Sequence, residues 1–102
     1  MEEERERFYS RLSTIQGMRP MPSIGRWILL KVENPAEVAR RINRRLEPGV
    51  VTVPRNVANA VRIPVRDPKS NEELYFALRD LATKKARQRF HNELRRSSID
   101  RD

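Results

Sequence analysis

The strongest constraint on the fold lies between Val61 and Leu74, where a short apolar strand is followed directly by a capped helix. Side chains alternate across a strand, so Val61, Ile63 and Val65 share one face and Arg62 points to the other. We therefore predict that Arg62 is displayed on an open sheet face, where its planar fork could hold a carboxylate or a phosphate. The alternative is a solvated arginine that binds no ligand.

Periodicity and helix caps indicate most of the preceding secondary structure. Apolar residues at helical spacing predict an amphipathic helix over residues 3–16, and two prolines make residues 18–23 an extended linker. The apolar run of residues 26–32 predicts a strand at the centre of its sheet. Asn34, followed by a proline and by Glu37, has the pattern of an N-cap with a capping box.

Two short strands and a long helix complete the pattern. Residues 50–53 and 60–65 are predicted strands that could pair as a hairpin. Pro64 places the second strand at a sheet edge, or turns its missing amide away from the partner strand. Asp67 and Pro68 repeat the pattern of a cap followed by proline, and they begin the last helix.

The apolar stripe of the last helix changes phase near residue 83. Beyond this point Ala86, Phe90 and Leu94 fall on the opposite face, among many basic residues. We therefore treat residues 1–83 as an α/β domain and residues 84–102 as a basic tail that is helical or disordered. Such a tail either bends to dock elsewhere or meets a partner.

The order helix, strand, helix, strand, strand, helix predicts an α+β fold in two layers. Short connections favour a three-stranded antiparallel or mixed sheet with helices on one face and the other face uncovered. An uncovered sheet face is typical of a docking surface.

Length and composition restrict the classes of function. A chain of 102 residues has room for one hydrophobic core, and its net charge of +8 favours acidic partners, nucleic acid or anionic membranes. Without cysteine, and with His91 as the single histidine, one chain cannot build a thiolate or histidine metal site. The longest apolar run is too short to cross a bilayer and the acidic start is unlike a signal peptide, so we expect a cytoplasmic protein.

Four segments of the chain resemble the motifs of a known family. They are Pro-Ser-Ile-Gly-Arg-Trp at residues 22–27, Gly-Val-Val at 49–51, Val-Arg-Ile-Pro at 61–64 and Arg-Asp-Pro-Lys-Ser-Asn at 66–71. The family has Pro-Ser-x-Ala-Asn-Phe, Gly-Ile-Ile-Val, Leu-Arg-Ile-Ser and Gly-Thr-Pro-Glu-Glu-Asn in the same order. In this respect residues 7–81 resemble the small C-terminal domain of fold-type I pyridoxal-phosphate aminotransferases, particularly the histidinol-phosphate aminotransferase group.

This resemblance implies that Arg62 corresponds to the family arginine that binds the substrate's α-carboxylate. Arg26 stands where the family has asparagine, and Arg66 where it has glycine, so we predict a carboxylate or anion site that includes all three arginines. The family's large domain, with its Schiff-base lysine and phosphate-binding loop, has no counterpart in this sequence. We therefore expect no catalytic residues and no cofactor, unless a separate large-domain chain supplies a pyridoxal-phosphate site.

The leading hypothesis is a non-catalytic, stand-alone relative of this small domain that binds a protein partner, another copy of itself or an anion through the open sheet face. One alternative is the small subunit of a split aminotransferase. Another is a basic nucleic-acid-binding protein, with candidate contacts at Arg40, Arg44, Lys84, Lys85, Arg87 and Arg89. Against nucleic acid, Trp27 and Phe8 are expected in the core, which leaves no stacking platform. Membrane-surface binding by the tail ranks third, because Phe90 and Leu94 give only a small apolar face.

Overall fold

The computed structural model describes residues 2–22 and 25–99, with side chains described as far as residue 87. It confirms the predicted α+β class, with three helices packed on a small antiparallel sheet. The elements are α1 (Glu2–Leu12), β1 (Arg19–Met21), β2 (Trp27–Lys31), α2 (Pro35–Arg45), β3 (Ala60–Pro64) and α3 (Pro68–Ile99).

The three strands lie in the order β1-β2-β3, so the apolar strand β2 is central as predicted. Pro20 of β1 lies opposite Leu30, and Leu29 lies opposite Arg62 of β3. Both outer strands contain a proline, which is tolerated there because an edge strand does not need every backbone donor.

All three helices pack on one face of the sheet. Ile28 and Leu30 of β2 and Val61 and Ile63 of β3 point into this layer and are fully buried. They meet an apolar stripe from each helix, formed by Phe8, Leu12, Val38, Ile42, Leu74, Leu78 and Leu81. The alternating residues of the strands therefore point away from the core, as the pattern of β3 predicts.

The order of elements along the chain differs from the prediction, because a short strand lies within the presumed linker. Residues Arg19–Met21 form β1, which pairs with β2, and Tyr9 of α1 donates a hydrogen bond of 3.1 Å to the carbonyl of Pro20. The two prolines masked this strand, although proline is compatible with an edge position. The observed order is therefore α-β-β-α-β-α.

Residues 50–53 do not form the predicted strand. Thr52 and Arg62 exchange both backbone hydrogen bonds, at 2.7 and 3.1 Å, as an isolated bridge. In this register the neighbouring hydrogen-bonded positions would pair residue 50 with Pro64 and Pro54 with residue 60. Each of these pairs contains a proline that lacks an N–H group, so the ladder does not extend beyond the single Thr52–Arg62 pair.

The two predicted helix caps have different outcomes. Asp67 caps α3, because its carboxylate accepts hydrogen bonds from the backbone N–H of Ser70 at 3.1 Å and from its hydroxyl at 2.6 Å. Asn34 precedes α2 but makes no side-chain cap, so the predicted capping box is wrong. Its backbone is left-handed, with φ 57°, and its amide donates to the Glu37 carboxylate at 3.3 Å instead.

Helix α3 continues to Ile99, well past the predicted change near residue 83. A helix of 32 residues rises about 48 Å, which explains why the molecule is 58 Å in its longest dimension. Leu81 is buried and Ala86 is exposed, as expected from the change of phase. The side chains of Phe90 and Leu94, and residues 100–102 of the tail, lie outside the described part of the chain.

Candidate anion-binding face

The sheet surface turned away from the helices carries several cations and no carboxylate among its strand residues. Pleat alternation and register assign this open sheet face to Arg19, Met21, Trp27, Leu29, Lys31, Arg62 and Pro64, with Ala60 as a buried exception. Leu29 lies in the middle, since it faces Met21 on one side and Arg62 on the other. The face is therefore a half-apolar surface bordered by positive charge.

Arg62 is held firmly at the backbone but not by any acidic side chain. It pairs with Leu29 in the ladder and exchanges two hydrogen bonds with Thr52 on its other side. Its guanidinium carbon lies 4.4 Å from the centre of the Trp27 ring, within cation–π distance. No ion pair is found for Arg62 within the described residues, so its charge can meet an external anion.

Trp27 corrects one expectation from the sequence. Phe8 is buried with 1% exposure, as predicted, but Trp27 is 39% exposed on the open sheet face rather than in the core. Alternation in β2 could have found this, because Ile28 and Leu30 occupy the inner face and leave Trp27 on the outer one. The indole and Arg62 together form a flat cationic and aromatic surface.

Arg19 and Lys31 add a second pair of cations to the open sheet face. They lie directly opposite each other in the β1-β2 register, and both are exposed. Like charges in such a pair destabilise a sheet by a few tenths of a kcal/mol. Within the described residues neither has an ion-pair partner, so a bound anion would relieve this repulsion. Neither residue could be assigned to a site from the sequence, because the pairing of β1 with β2 was not predicted.

The two other predicted site arginines have different surroundings. Arg66 makes an ion pair of 3.0 Å with Glu47, and its Nε atom is buried without a hydrogen-bond partner among the described residues. Arg26 is exposed just before β2, and its carbonyl accepts a hydrogen bond of 2.7 Å from the Val65 N–H. Of the three predicted arginines, only Arg62 lies in a strand of the open sheet face.

The predicted basic patch lies away from this face, between α2 and α3. Arg40, Arg44 and Lys84 line one groove between these helices. Lys85 is half-buried and lies 3.9 Å from Glu37, whereas Arg87 is exposed. The side chain of Arg89 lies outside the described residues.

A polar network joins α1 to the start of α3 and fixes one side of the fold. Asn71 is fully buried; its amide donates at 2.8 Å to Glu4 and to the Arg66 carbonyl, and its oxygen accepts from the Arg66 N–H at 2.8 Å. Arg7 donates at 2.6 Å to Glu72 and at 2.7 Å to Glu4. These bonds lower the pKa of both carboxyl groups, with the Arg7 hydrogen bond as the largest cause. The network is structural and lies outside the open sheet face.

The four lysines of the chain bear on cofactor chemistry. Lys31, Lys69 and Lys84 are exposed, and Lys85 is near Glu37. A Schiff-base lysine needs a desolvated amine, which the three exposed lysines do not offer.

In the part of the chain that the structure describes, no group of three acidic or histidine residues could hold a metal ion. Within the same part, no helix has the length and apolar character needed to cross a bilayer.

Neither a protein-family model nor any curated protein matches the chain. Among solved structures, the chain is similar to a decarboxylase from Sulfurospirillum multivorans, with a TM-score of 0.68 and 20% sequence identity. The match covers 78% of this chain and 24% of the decarboxylase chain. This likeness supports the fold, and it shows that the same arrangement occurs as about a quarter of a larger protein.

Proposed function

We propose that the chain is a non-catalytic binding module whose open sheet face holds an anionic group of a partner, with Arg62 as the main contact. This proposal rests on the surroundings of the Arg62 guanidinium. Its carbon lies 4.4 Å from the centre of the exposed Trp27 ring, and it has no ion-pair partner among the described residues. A carboxylate is the preferred group, because a guanidinium fork binds it bidentately.

Three further features support binding rather than catalysis. The cations at positions 19, 31 and 62 surround the apolar Leu29, which suits a partner that combines a carboxylate with an apolar group. Three of the four lysines are exposed and so lack the desolvated setting of a covalent catalyst, and Lys85 lies beside the Glu37 carboxylate. The resemblance to the aminotransferase small domain also implies a carboxylate ligand for Arg62.

Trp27 provides a direct assay because it is the only tryptophan of the chain. A carboxylate that binds Arg62 would change the environment of the indole and therefore its fluorescence. We expect saturable quenching or a spectral shift on titration with a peptide that ends in a carboxylate beside a leucine. The amidated peptide serves as the matched ligand control.

Arg62→Ala should abolish the response, and Arg62→Lys should weaken it about tenfold or more, because lysine keeps the charge but loses the fork. Arg55→Ala removes an exposed loop cation and is the matched control, which should bind normally. Equal binding of the free and amidated peptides, or equal binding by Arg62→Ala and Arg55→Ala, would refute the proposal.

A further inference from the structure

A groove between α2 and α3 is lined by several basic residues that the proposed function of the open sheet face does not use. It has a volume of about 500 Å³ and is open to solvent. Five basic residues and one acidic residue line it: Arg40, Arg41, Arg44, Arg45, Lys84 and Asp80. The apolar residues of its lining, Ile42, Ala77 and Leu81, are buried, whereas the charged ones are exposed.

Internal ion pairs neutralise only part of this charge. Arg45 is 2.8 Å from Asp80, and Arg41 is 3.3 Å from Glu37 on its own helix. Within the described residues, Arg40, Arg44 and Lys84 have no such partner. The groove therefore retains three free cations on two helices that pack against each other.

The arrangement of these cations opposes the stability of α2. Arg40 and Arg44 are four residues apart, as are Arg41 and Arg45, and like charges at this spacing destabilise a helix by about 0.2–0.5 kcal/mol per pair. Glu37 and Asp80 offset the charges of Arg41 and Arg45. Within the described residues no carboxylate offsets the repulsion between Arg40 and Arg44, which an external anion would relieve.

We propose that this groove binds the phosphate backbone of double-stranded nucleic acid. Arg40 and Arg44 are separated by a rise of about 6 Å along α2, which lets them contact different phosphates of one strand. Lys84 reaches the same anion from α3, and the exposed Arg87 extends the basic line along that helix.

The groove contains no aromatic side chain that could stack on an unpaired base. Binding therefore depends on the charge of the phosphates and not on the base sequence of the nucleic acid. A duplex is the preferred form because its bases are already paired and need no stacking partner from the protein. This inference is independent of the proposed function, because none of its residues lies on the open sheet face.

Fluorescence anisotropy of the full chain with a labelled duplex of about 20 base pairs tests the inference, with duplex RNA and duplex DNA as separate arms. Arg40→Glu/Arg44→Glu should weaken binding at least about tenfold and make the slope of log affinity against log salt shallower by about 2. Arg55→Glu/Lys69→Glu is the matched control. Each pair of reversals changes the charge by −4, from +8 to +4, but the control residues lie outside the groove.

Arg40→Gln/Arg44→Gln provides a milder version if the double reversal fails to fold, and circular dichroism checks each variant. Tighter binding of either duplex than of the matching single strand, with selective loss in the groove variants, supports the inference. Equal losses in the groove and control variants, or a salt slope near zero, would overturn it. So would displacement of the duplex by polyglutamate at an equal concentration of charge, since an acidic peptide would then be an equivalent ligand.

Discussion

Asn71 offers the sharpest test of how this small domain is held together. It is fully buried and makes three hydrogen bonds of 2.8 Å, two to the backbone of Arg66 and one to the carboxylate of Glu4. Asn71→Ala removes all three and leaves the N–H and carbonyl of Arg66 without these partners. At about 1 kcal/mol for each bond, with the bond to a carboxylate somewhat stronger, we expect a loss of roughly 3 kcal/mol.

Urea unfolding monitored by circular dichroism measures this loss. The urea concentration at the midpoint should fall, and the dependence of the free energy of unfolding on urea concentration should stay unchanged. Asn56→Ala is the matched control, because Asn56 is exposed in a loop and its removal should change stability by less than about 0.5 kcal/mol. Asn71→Asp should keep the bond from the Arg66 N–H but place a charge beside Glu4, so its defect should exceed that of Asn71→Ala near neutral pH. A loss below about 1 kcal/mol for Asn71→Ala would refute the assigned role.

Three further predictions concern stability. Asn43→Ala should cost about 2 kcal/mol in the same urea assay, because Asn43 donates to the Val51 carbonyl at 2.8 Å and accepts from its N–H at 2.7 Å; no loss would show that water replaces it. Leu78→Ala should cost about 2–5 kcal/mol by leaving a core cavity, and a loss under 1 kcal/mol would contradict its central packing. The folded-state pKa of Glu72 is lowered, so the ionised carboxylate stabilises the fold fully at pH values above its ordinary pKa of 4.5, and this stabilisation is lost as the pH falls below 4.5. In a series of urea midpoints measured against pH, Glu72→Gln should reduce the fall in midpoint over this acidic range.

Local patterns allowed the sequence to predict much of the architecture. Alternation in β3 placed Val61 and Ile63 inside and Arg62 outside, because neighbouring side chains of a strand must point to opposite faces. Prolines after Asn34 and Asp67 marked the starts of α2 and α3, because a fixed φ suits the first turn of a helix. These features depend on backbone geometry within a few residues.

Other features depend on contacts between distant residues and could not be predicted in this way. The side chain of Asn71 bonds both to Glu4 of α1, 67 positions away in the chain, and to the backbone of Arg66 just before α3. A local pattern does not carry information about such a partner.

Local patterns in the chain are enough to place Arg62 outside the core and to predict one small α+β domain around a central apolar strand. The pairing of β1 with β2, which brings Arg19 opposite Lys31, and the position of Trp27 beside Arg62 instead of in the core became known only from the folded molecule. Alternation fixes the face on which a side chain lies, but strand register fixes its neighbours, and register depends on pairing between distant segments.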